Sequence, residues 1–414
     1  MASKQQEAIR YISENYLQFN RIRHDVVSDK LQIRLLGEEG KGERQEYWRE
    51  MTKQDINSIV CQCAQECDSN ITSREVMTVL QSDLVPSVHP LREYILSCPT
   101  WTKEQPDWID FVARQVKVKP SGEEAKVEEL WRECFKRWFV AMVASWMKDE
   151  VVNQQVLVLI GRQGIYKTTW LERLIPPHLR PYSCKLANTN DLNKDERMRI
   201  AEFGLIALDE IDSMNNRELN QLKSVITSSD VNERAAYAYT KERRVRLASF
   251  CASGNRRDFL TDLTGNRRWL PFEVESIQNP YFTVLPYEMM YAQAWALAQD
   301  PTFSYWFDLD EIEVLEQHNQ QFRDESNEEQ LLPILFDIPA EGKGEFFTTA
   351  QISERLVNFG NIKKPMALSR LGMVLGTAGY KATKRKIGNT QTRGWIVYQR
   401  DTDEINTLRR ILKD

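Results

Sequence analysis

The sequence has no apolar run of membrane-spanning length and few residues of the kinds that build metal or disulfide frameworks. Its apolar runs are well short of the roughly 18 to 20 residues that a membrane span requires, and no basic and apolar signal segment stands at the start. The four histidines are far apart, and the seven cysteines are an odd number without a secretory pattern. We therefore expect a soluble, cytoplasmic protein with reduced thiols.

Three of the cysteines, Cys61, Cys63 and Cys67, lie close enough in sequence to be considered as metal ligands. The segment from Asp55 onward has a helical pattern, which places Cys63 and Cys67 on one face and Cys61 on another. A structural thiolate site needs four ligands, and no fourth cysteine or histidine lies near. We expect ordinary buried cysteines here.

Composition bounds the number of domains and the kinds of partner. A chain of 414 residues exceeds the roughly 250 to 300 residues at which a single core stops growing, so we expect about two to four domains. The net charge of −5 argues against nonspecific binding of polyanions over the whole surface. Residues 308–329 are strongly acidic and predict a solvated helix and loop, whereas residues 361–400 contain no Asp or Glu. The basic residues of this second block, which can follow a phosphate backbone, are Lys363, Lys364, Arg370, Lys381, Lys384, Arg385, Lys386, Arg393 and Arg400.

A candidate nucleotide site begins in the segment QQVLVLIGRQGIYKTTWLERL, residues 154–174. An apolar run precedes a glycine-containing turn, and a helical pattern follows it. Backbone N–H groups at a helix N-terminus, with a lysine and a hydroxyl, are what a triphosphate and its Mg²⁺ require. We expect Lys167 to be the cation and Thr168 to bind Mg²⁺. The nucleotide-binding residues that we predict here are Gly161, Gln163, Gly164, Ile165, Tyr166, Lys167, Thr168 and Thr169.

Tyr166 departs from the phosphate-loop pattern, because a second glycine is expected at its position. We expect its backbone to be helical and its ring to point away from the phosphates. Such loose matches also arise by chance. The context favours a real loop, since VLVLI has the unbroken apolar character of a buried parallel strand.

Paired carboxylates follow a second apolar run, FGLIALDE, about forty residues on. In a nucleoside triphosphatase, Asp209 would hold Mg²⁺ through water and Glu210 would activate the attacking water. The alternative is a solvated acidic strand end.

A third strand, within RLASFCASGN, ends at Asn255, which could contact the γ-phosphate or orient the water. The segment TGNRRWLPFEV then places two arginines before an aromatic β run. An arginine supplied to a neighbouring subunit speeds hydrolysis because it neutralises transition-state charge. Arg268 is our first choice for this role and Arg267 the second. Both could instead be surface arginines of a hairpin.

The segments LIGRQGIYKTTW, LIALDE, FCASGN and TGNRRW, in this order and spacing, resemble the virulence-associated E family. That family's core is similar to superfamily 3 helicases of the AAA+ class, and the resemblance covers most of residues 85–335. It implies an ATP-driven, hexameric DNA helicase or replication initiator of phages, mobile islands and bacterial genomes. It also implies ATP and Mg²⁺ at Lys167, Thr168 and Asp209. Many relatives carry a primase module, for which we find no room here, so any primase would be a separate partner.

Two further segments are candidates for DNA contacts. Between the acidic pair and Asn255, an alternating segment with a charged tip is similar to the pore hairpin of such helicases, which grips single-stranded DNA. The residues implied are Lys241, Arg243 and Arg244, although a solvent-exposed hairpin is the alternative.

The aromatic helix WRECFKRWFVAMVASW could stack bases, but its three- and four-residue spacing favours core packing.

The basic block follows the order helix, helix and hairpin, which is typical of a winged helix-turn-helix. Thr348 or Thr349 would cap the first helix. We expect the second helix to turn Ser369, Arg370 and Met373 outward and Leu368, Leu371 and Leu375 toward the core. The wing would carry Lys384, Arg385 and Lys386 beside a turn at Gly388 and Asn389, and could contact duplex DNA or a protein.

We therefore predict an α/β protein with a P-loop AAA+ type core, an α+β N-terminal domain and a C-terminal winged helix-turn-helix. The expected parts are an N-terminal domain (1–84), a helical connector (85–125), the ATPase core (126–290), an acidic helical segment (291–340) and the winged helix (345–400). The predicted function is an ATP-dependent DNA helicase or initiator motor, with ATP hydrolysed between subunits of a ring. Its rivals are an ATP-switched DNA-binding assembly without processive unwinding and a small-molecule kinase.

Overall fold

The described chain separates into two compact units. The computed structural model describes residues 3–36, 46–120, 124–186, 199–233, 242–261, 266–340, 344–388 and 390–411. The first unit comprises Met1–Asn255 and Trp269–Leu309, and the second comprises Arg256–Arg268 and Asp310–Asp414.

The first unit begins with a small α+β region. Its elements are α1 (Lys4–Ile12), β1 (Ile22–Asp25), β2 (Lys30–Leu36), β3 (Glu46–Glu50), α2 (Lys53–Glu66), α3 (Ser73–Leu80) and β4 (Ser87–Val88). Capping boxes at Ser3, Thr52 and Thr72 start the three helices. The strands form a sheet in the order β3-β2-β1-β4, in which β4 is parallel to β1 and the other pairs are antiparallel.

The three neighbouring cysteines of this region have different environments. Cys63 is buried in the core formed by α1, α2 and α3. Cys67 follows the end of α2 and is partly buried, whereas Cys61 is exposed. The prediction of ordinary buried cysteines is therefore wrong for Cys61, because α2 turns only one face toward the core.

A larger α/β region completes the first unit. Its elements are α4 (Pro90–Ser97), α5 (Trp108–Ala113), β5 (Val116–Val118), α6 (Glu124–Met147), β6 (Val156–Ile160), α7 (Lys167–Glu172), β7 (Ser183–Leu186), β8 (Leu205–Leu208), α8 (Asn216–Thr227), β9 (Asp230–Glu233), β10 (Glu242–Val245), β11 (Ser249–Gly254), β12 (Trp269–Ile277) and α9 (Tyr287–Gln299). The main sheet has the order β5-β12-β6-β11-β8-β7, and its pairs are parallel except for β5 with β12. The carboxyl ends of β6, β11 and β8 therefore meet at one edge.

The strands β6, β8 and β11 are buried throughout, as expected for parallel strands covered on both faces. Helix α6 covers the sheet, and the prediction that its aromatic residues pack in the core is confirmed. Its three tryptophans also donate to backbone carbonyls, Trp131 to Ala113, Trp138 to Phe250 and Trp146 to Gly204. The aromatic and sulfur side chains that α6 buries are Trp131, Phe135, Trp138, Phe139, Met142 and Trp146. None of the described helices combines the length and apolar character needed to cross a membrane.

The second unit is a smaller α+β assembly. Its elements are α10 (Leu309–Asn319), which begins at the boundary, α11 (Asn327–Leu335), β13 (Phe336–Asp337), β14 (Glu345–Phe347), α12 (Thr349–Gly360), α13 (Leu368–Thr377), β15 (Lys381–Ile387), β16 (Thr390–Gln399) and α14 (Thr402–Ile411). Strand β16 pairs antiparallel with β13, β14 and β15. The predicted order of helix, helix and hairpin is present as α12, α13 and β15–β16.

The details of α12 and α13 confirm one prediction and correct another. Thr348 caps α12 through a capping box with Gln351. Leu368 was expected in the core, but its side chain is 49% exposed, and Val374 is buried with Leu371 and Leu375 instead. Leu368 is the first residue of α13, and this first turn extends beyond the core that the later turns contact.

Candidate functional site

A loop with left-handed backbone conformations connects β6 to α7. Gly161 begins this loop, and its N–H donates to the Gly254 carbonyl at 3.1 Å. A Cβ at Gly161 would lie 2.8 Å from the Val274 carbonyl oxygen, so only glycine allows these strand ends to approach so closely. Gly164 has φ +86°, which glycine adopts without strain. The carboxyl ends of β6 and β11 thus meet beside Val274 of β12 at the Gly161 loop, which we define as residues 161–166.

Tyr166 is the residue before α7, and it has a left-handed backbone with φ 68° and ψ 17°. The expectation of a helical backbone at Tyr166 is therefore wrong. The position needs the positive φ that a glycine would supply, because the chain must reverse before the helix starts. The Tyr166 ring meets the Tyr281 ring edge to face, with centroids 6.3 Å apart.

Replacing Tyr166 tests the strain at this position. Tyr166→Ala keeps the left-handed backbone but loses the ring contact, whereas Tyr166→Gly removes the steric penalty as well. We expect the glycine variant to be more stable than the alanine variant by about 1 kcal/mol, measured by thermal or urea unfolding. Equal stability of the two variants would show that residue 166 does not need a positive φ in solution.

Lys167 is the first residue of α7, and its ammonium group lies inside the Gly161 loop. It donates to the carbonyls of Gly161 (2.7 Å) and Arg162 (2.8 Å) and, at 3.4 Å, to Asn255 Oδ1. Burial lowers the pKa of Lys167, and the nearby Asp212 and Asp209 carboxylates partly oppose this shift. A desolvated cation at a helix N-terminus attracts anions strongly.

Thr168, Ser253 and Asp209 form a connected polar cluster beside Lys167. The Ser253 hydroxyl donates to Asp209 Oδ1 at 2.8 Å and lies 2.9 Å from the Thr168 hydroxyl. Thr168 also donates to Asp209 Oδ1, at 3.2 Å. The three residues come from α7, β11 and the end of β8, so the order of the sheet brings them together.

The second oxygen of Asp209 is paired with a lysine of the edge strand. Lys185 Nζ in β7 lies 2.7 Å from Asp209 Oδ2. Burial alone would raise the pKa of Asp209, but the hydrogen bonds from Lys185, Ser253 and Thr168 outweigh it and lower that pKa below its ordinary value. The bond to Asp209 also raises the pKa of Lys185. Asp209 is therefore held as a carboxylate, which is the form that coordinates hard cations.

Asn255 and Glu210 lie at the same edge of the sheet. Asn255 follows β11, and its N–H donates to Asp212 Oδ1 at 3.1 Å. Glu210 is exposed and has a left-handed backbone with φ 51°. The Glu210 carbonyl accepts from the N–H and the hydroxyl of Ser213. Because Glu210 is exposed, its carboxylate is accessible to water.

The remaining loop residues have different exposures. Gln163 and Gly164 are exposed, whereas Ile165 is buried beneath the loop. Thr169 is half-buried and lines a groove beside α7 together with Tyr281. Arg162, which is also exposed, is the other charged residue of the Gly161 loop.

The candidate pore residues lie on a hairpin formed by β9 and β10. Arg243 is opposite Asn232 in this hairpin, and Lys241 lies outside the described residues. Arg244 is near the base of the hairpin, where it pairs with Asp29 and Glu202. The hairpin itself is as predicted, but Arg244 contacts carboxylates of its own chain.

The candidate finger arginines lie in a short 3₁₀ turn of the second unit, Asn266–Arg268, immediately before β12. Arg267 is exposed, whereas Arg268 is half-buried. Burial, with a smaller effect of the neighbouring Arg267, lowers the pKa of Arg268. Arg267 is therefore the more accessible of the two arginines.

The candidate DNA contacts of the second unit are mostly exposed. Lys384, Arg385 and Lys386 are exposed along β15. Ser369 and Met373 also face outward, as predicted. Arg370 is half-buried and donates to the Thr261 carbonyl at 3.0 Å, so a structural contact already engages its guanidinium.

Sequence reasoning missed Ser253, Lys185 and Asp212, although all three contact or influence the predicted residues. Ser253 directly precedes the final glycine of a buried strand, where a hydroxyl is unusual and gave a usable signal. Asp212 follows the acidic pair by two residues. Lys185 carried no signal, because its pairing with Asp209 depends on the position of β7 beside β8.

Comparisons with known proteins give one family and several solved structures. The chain is similar to the apo structure of the NrS-1 C terminal region (305-718), with 12% identity and a TM-score of 0.48 over 95% of this chain and 99% of that one. An A form apo structure of the same region matches with 13% identity and a TM-score of 0.46 over 95% and 100% of the two chains. No curated protein matches. Residues 107–325 match the virulence-associated protein E-like domain, and because this match covers more than half of the chain, the protein belongs to the virulence-associated protein E-like family.

Proposed function

We propose that this protein is a Mg²⁺-dependent ATPase that acts on DNA in the replication of a phage or mobile element. The observation that carries the proposal is the meeting of Lys167, Thr168 and Asp209 at the carboxyl ends of β6 and β8. A buried cation, a hydroxyl and a carboxylate in this arrangement are the groups that a triphosphate with Mg²⁺ requires. We also propose that the protein is a ring-forming helicase of the AAA+ class and that its second unit contains a winged helix-turn-helix.

The residues present fit such a ligand. The Gly161 loop brings its backbone close to neighbouring strands without side chains in the way. Lys167 already binds two carbonyl oxygens and an amide oxygen, so its ammonium is positioned to exchange these for phosphate oxygens. Thr168 and Asp209 supply a hydroxyl and a carboxylate oxygen, which are ligands of the kind that Mg²⁺ prefers.

Each residue then has a definite role. Lys167 would neutralise negative charge on the phosphates, and Thr168 and Asp209 would hold the metal, with Ser253 orienting both. Glu210 accepts a proton from water at the open edge of the sheet. Asn255, linked to Lys167, is positioned to orient that water or the terminal phosphate. When bound, Mg²⁺·ATP supplies the reactive phosphoanhydride and the charge that withdraws electrons from it.

A ring would explain the paired arginines before β12. An arginine that acts on a neighbouring site has to be reachable from outside its own subunit, and Arg267 is exposed in the 3₁₀ turn that also contains Arg268. We propose that this turn contributes the arginine finger in a homo-oligomer, with a hexamer as the assembly that the family resemblance implies.

Mixed assemblies test this arrangement. Subunits with Arg268→Ala and subunits with Lys167→Ala should each be inactive alone, yet a mixture should regain ATPase activity. In random equimolar rings, about a quarter of the interfaces pair an intact lysine with an intact arginine. The same experiment with Arg267→Ala identifies which arginine acts. Mixtures that exchange subunits but remain inactive would mean that the arginine acts within its own chain.

DNA contacts are proposed on both units. In the first, Arg243 of β10 and Lys241, which lies outside the described residues, would grip single-stranded DNA. In the second, the exposed Lys384, Arg385 and Lys386 of β15 would contact phosphates of duplex DNA. A strand-displacement assay on a forked duplex, with ATP and Mg²⁺, tests the motor: unwinding that requires hydrolysis supports it.

The alternative is an ATP-switched DNA-binding assembly, such as an initiator, a loader or a defence component. One observation favours it: the exposed basic strand β15 supplies a DNA contact that needs neither a pore nor movement along the strand. ATP turnover with DNA-stimulated assembly and no strand displacement would select this function.

A further inference from the structure

The base of the β9–β10 hairpin is tied to the turn between β1 and β2. Arg244 Nη2 lies 2.8 Å from Asp29 Oδ2, and His24 Nε2 lies 2.9 Å from Asp29 Oδ1. Glu202 adds a second carboxylate, 4.0 Å from Arg244 Nη1. The Arg244 side chain is only 17% exposed. Two carboxylates therefore lie beside a guanidinium that the family resemblance implied as a DNA contact.

The turn that carries Asp29 is itself rigidly held. Asp25 is fully buried, and its carboxylate accepts from the Val27 N–H at 2.9 Å and from the Ser28 hydroxyl at 2.6 Å. Tyr182, from the segment before β7, also donates to Asp25, at 2.7 Å. We call the turn between β1 and β2 the N-terminal turn. Its hydrogen bonds connect it to the segment before β7 as well as to its own strands, so it supports the hairpin rigidly.

Arg246, the residue that follows β10, provides a second contact at this end of the strand. Arg246 is fully buried and donates to the carbonyls of Ala248 (3.1 Å) and Asn153 (2.8 Å). Arg244 and Arg246 thus fasten the same end of β10, one to the N-terminal turn and one to the core. Such a pair of contacts restrains the direction in which the hairpin projects.

We propose that the Asp29–Arg244 pair is the contact through which the N-terminal domain positions the β9–β10 hairpin, and that Arg244 is a positioning residue rather than a DNA contact. The effect on DNA rests on the proposed function, whereas the effect on the hairpin does not. A partly exposed ion pair of this kind favours the arrangement in which the pair is formed over the one in which it is broken, by a factor of about two to five. That factor sets the scale of every expected change.

Hydrogen exchange measures the restraint directly. Peptides that cover residues 228–247 should exchange about two- to fivefold faster in Asp29→Asn and in Arg244→Gln than in the wild-type protein. The double variant should exchange no faster than Arg244→Gln, because both changes break one contact. The matched control is Glu50→Gln, which breaks the Lys30–Glu50 pair; the Glu50 and Asp29 side chains are similarly exposed, at 58% and 53%, and Lys30 directly follows Asp29. Unchanged exchange in Asp29→Asn, or a change as large in Glu50→Gln, overturns the proposal.

The salt dependence of DNA binding separates positioning from direct contact. Asp29→Asn and Arg244→Gln should both weaken binding of a single-stranded oligonucleotide about two- to fivefold, with the slope of log affinity against log salt unchanged. A phosphate contact by Arg244 predicts instead that Arg244→Gln reduces the slope by about 0.7 and that Asp29→Asn does not weaken binding. That second pattern overturns the positioning role. If wild-type protein binds no oligonucleotide, the proposed function fails and hydrogen exchange alone decides whether the hairpin is held.

Discussion

Lys167→Ala is expected to remove ATP binding. Lys167 is the cation that lies within the Gly161 loop, and its ammonium is already desolvated. Charge-assisted hydrogen bonds contribute about 1.5 to 3 kcal/mol each. Loss of two such bonds to phosphate oxygens predicts at least about a hundredfold weaker binding. Equilibrium titration with a fluorescent ATP analogue in the presence of Mg²⁺ measures this loss.

The loop could also be disturbed by the substitution, so a matched lysine is needed as a control. Lys148 donates to the Ala298 carbonyl at 2.8 Å, which resembles the bonds of Lys167 to its loop carbonyls. Lys148→Ala should lose comparable stability in thermal unfolding and yet bind ATP normally. Nucleotide affinity in Lys167→Ala that equals the affinity of the wild-type protein would refute the assignment of this loop.

Glu210→Gln is expected to bind ATP and to hydrolyse it about 10²- to 10⁴-fold more slowly, the usual contribution of a general base. The amide has the same shape as the carboxylate but cannot take a proton from water. The Ser213 N–H and hydroxyl bond the Glu210 carbonyl and not its side chain, so the left-handed backbone should persist. A single-turnover assay with a parallel binding titration separates the two effects.

The control for Glu210 is an exposed carboxylate far from the sheet edge. Glu129→Gln in α6 removes the same charge from the surface and should leave turnover unchanged. If Glu210→Gln hydrolyses ATP at the wild-type rate, another group orients the water, and Asp212 becomes the candidate because it bonds the Asn255 N–H.

Several features of the site could be predicted because the sequence encodes them locally. An unbroken apolar run such as VLVLI identifies a buried parallel strand at any position in the chain. The aromatic residues of α6 recur at helical spacing, which is enough to assign them to a core. The positions of Lys167, Asp209 and Asn255 at the ends of such strands followed from the same patterns.

Other features lay beyond local patterns. The left-handed backbone of Tyr166 arises because the chain must turn from β6 into α7 within a space that β11 and β12 already limit. Leu368 was assigned to the core, although it is exposed, because helical spacing gives relative faces but not where a helix leaves the core.

The sequence alone placed the glycine, lysine and carboxylate residues of the candidate site beside apolar strands, because these positions follow from covalent order and side-chain period. The partners of those residues depend on tertiary structure. Lys185 meets Asp209 only because β7 lies beside β8, and Arg244 meets Asp29 only because the N-terminal turn lies against the hairpin. Such pairs join residues far apart in the chain, and only the packing of the strands and turns that carry them brings their charges within bonding distance.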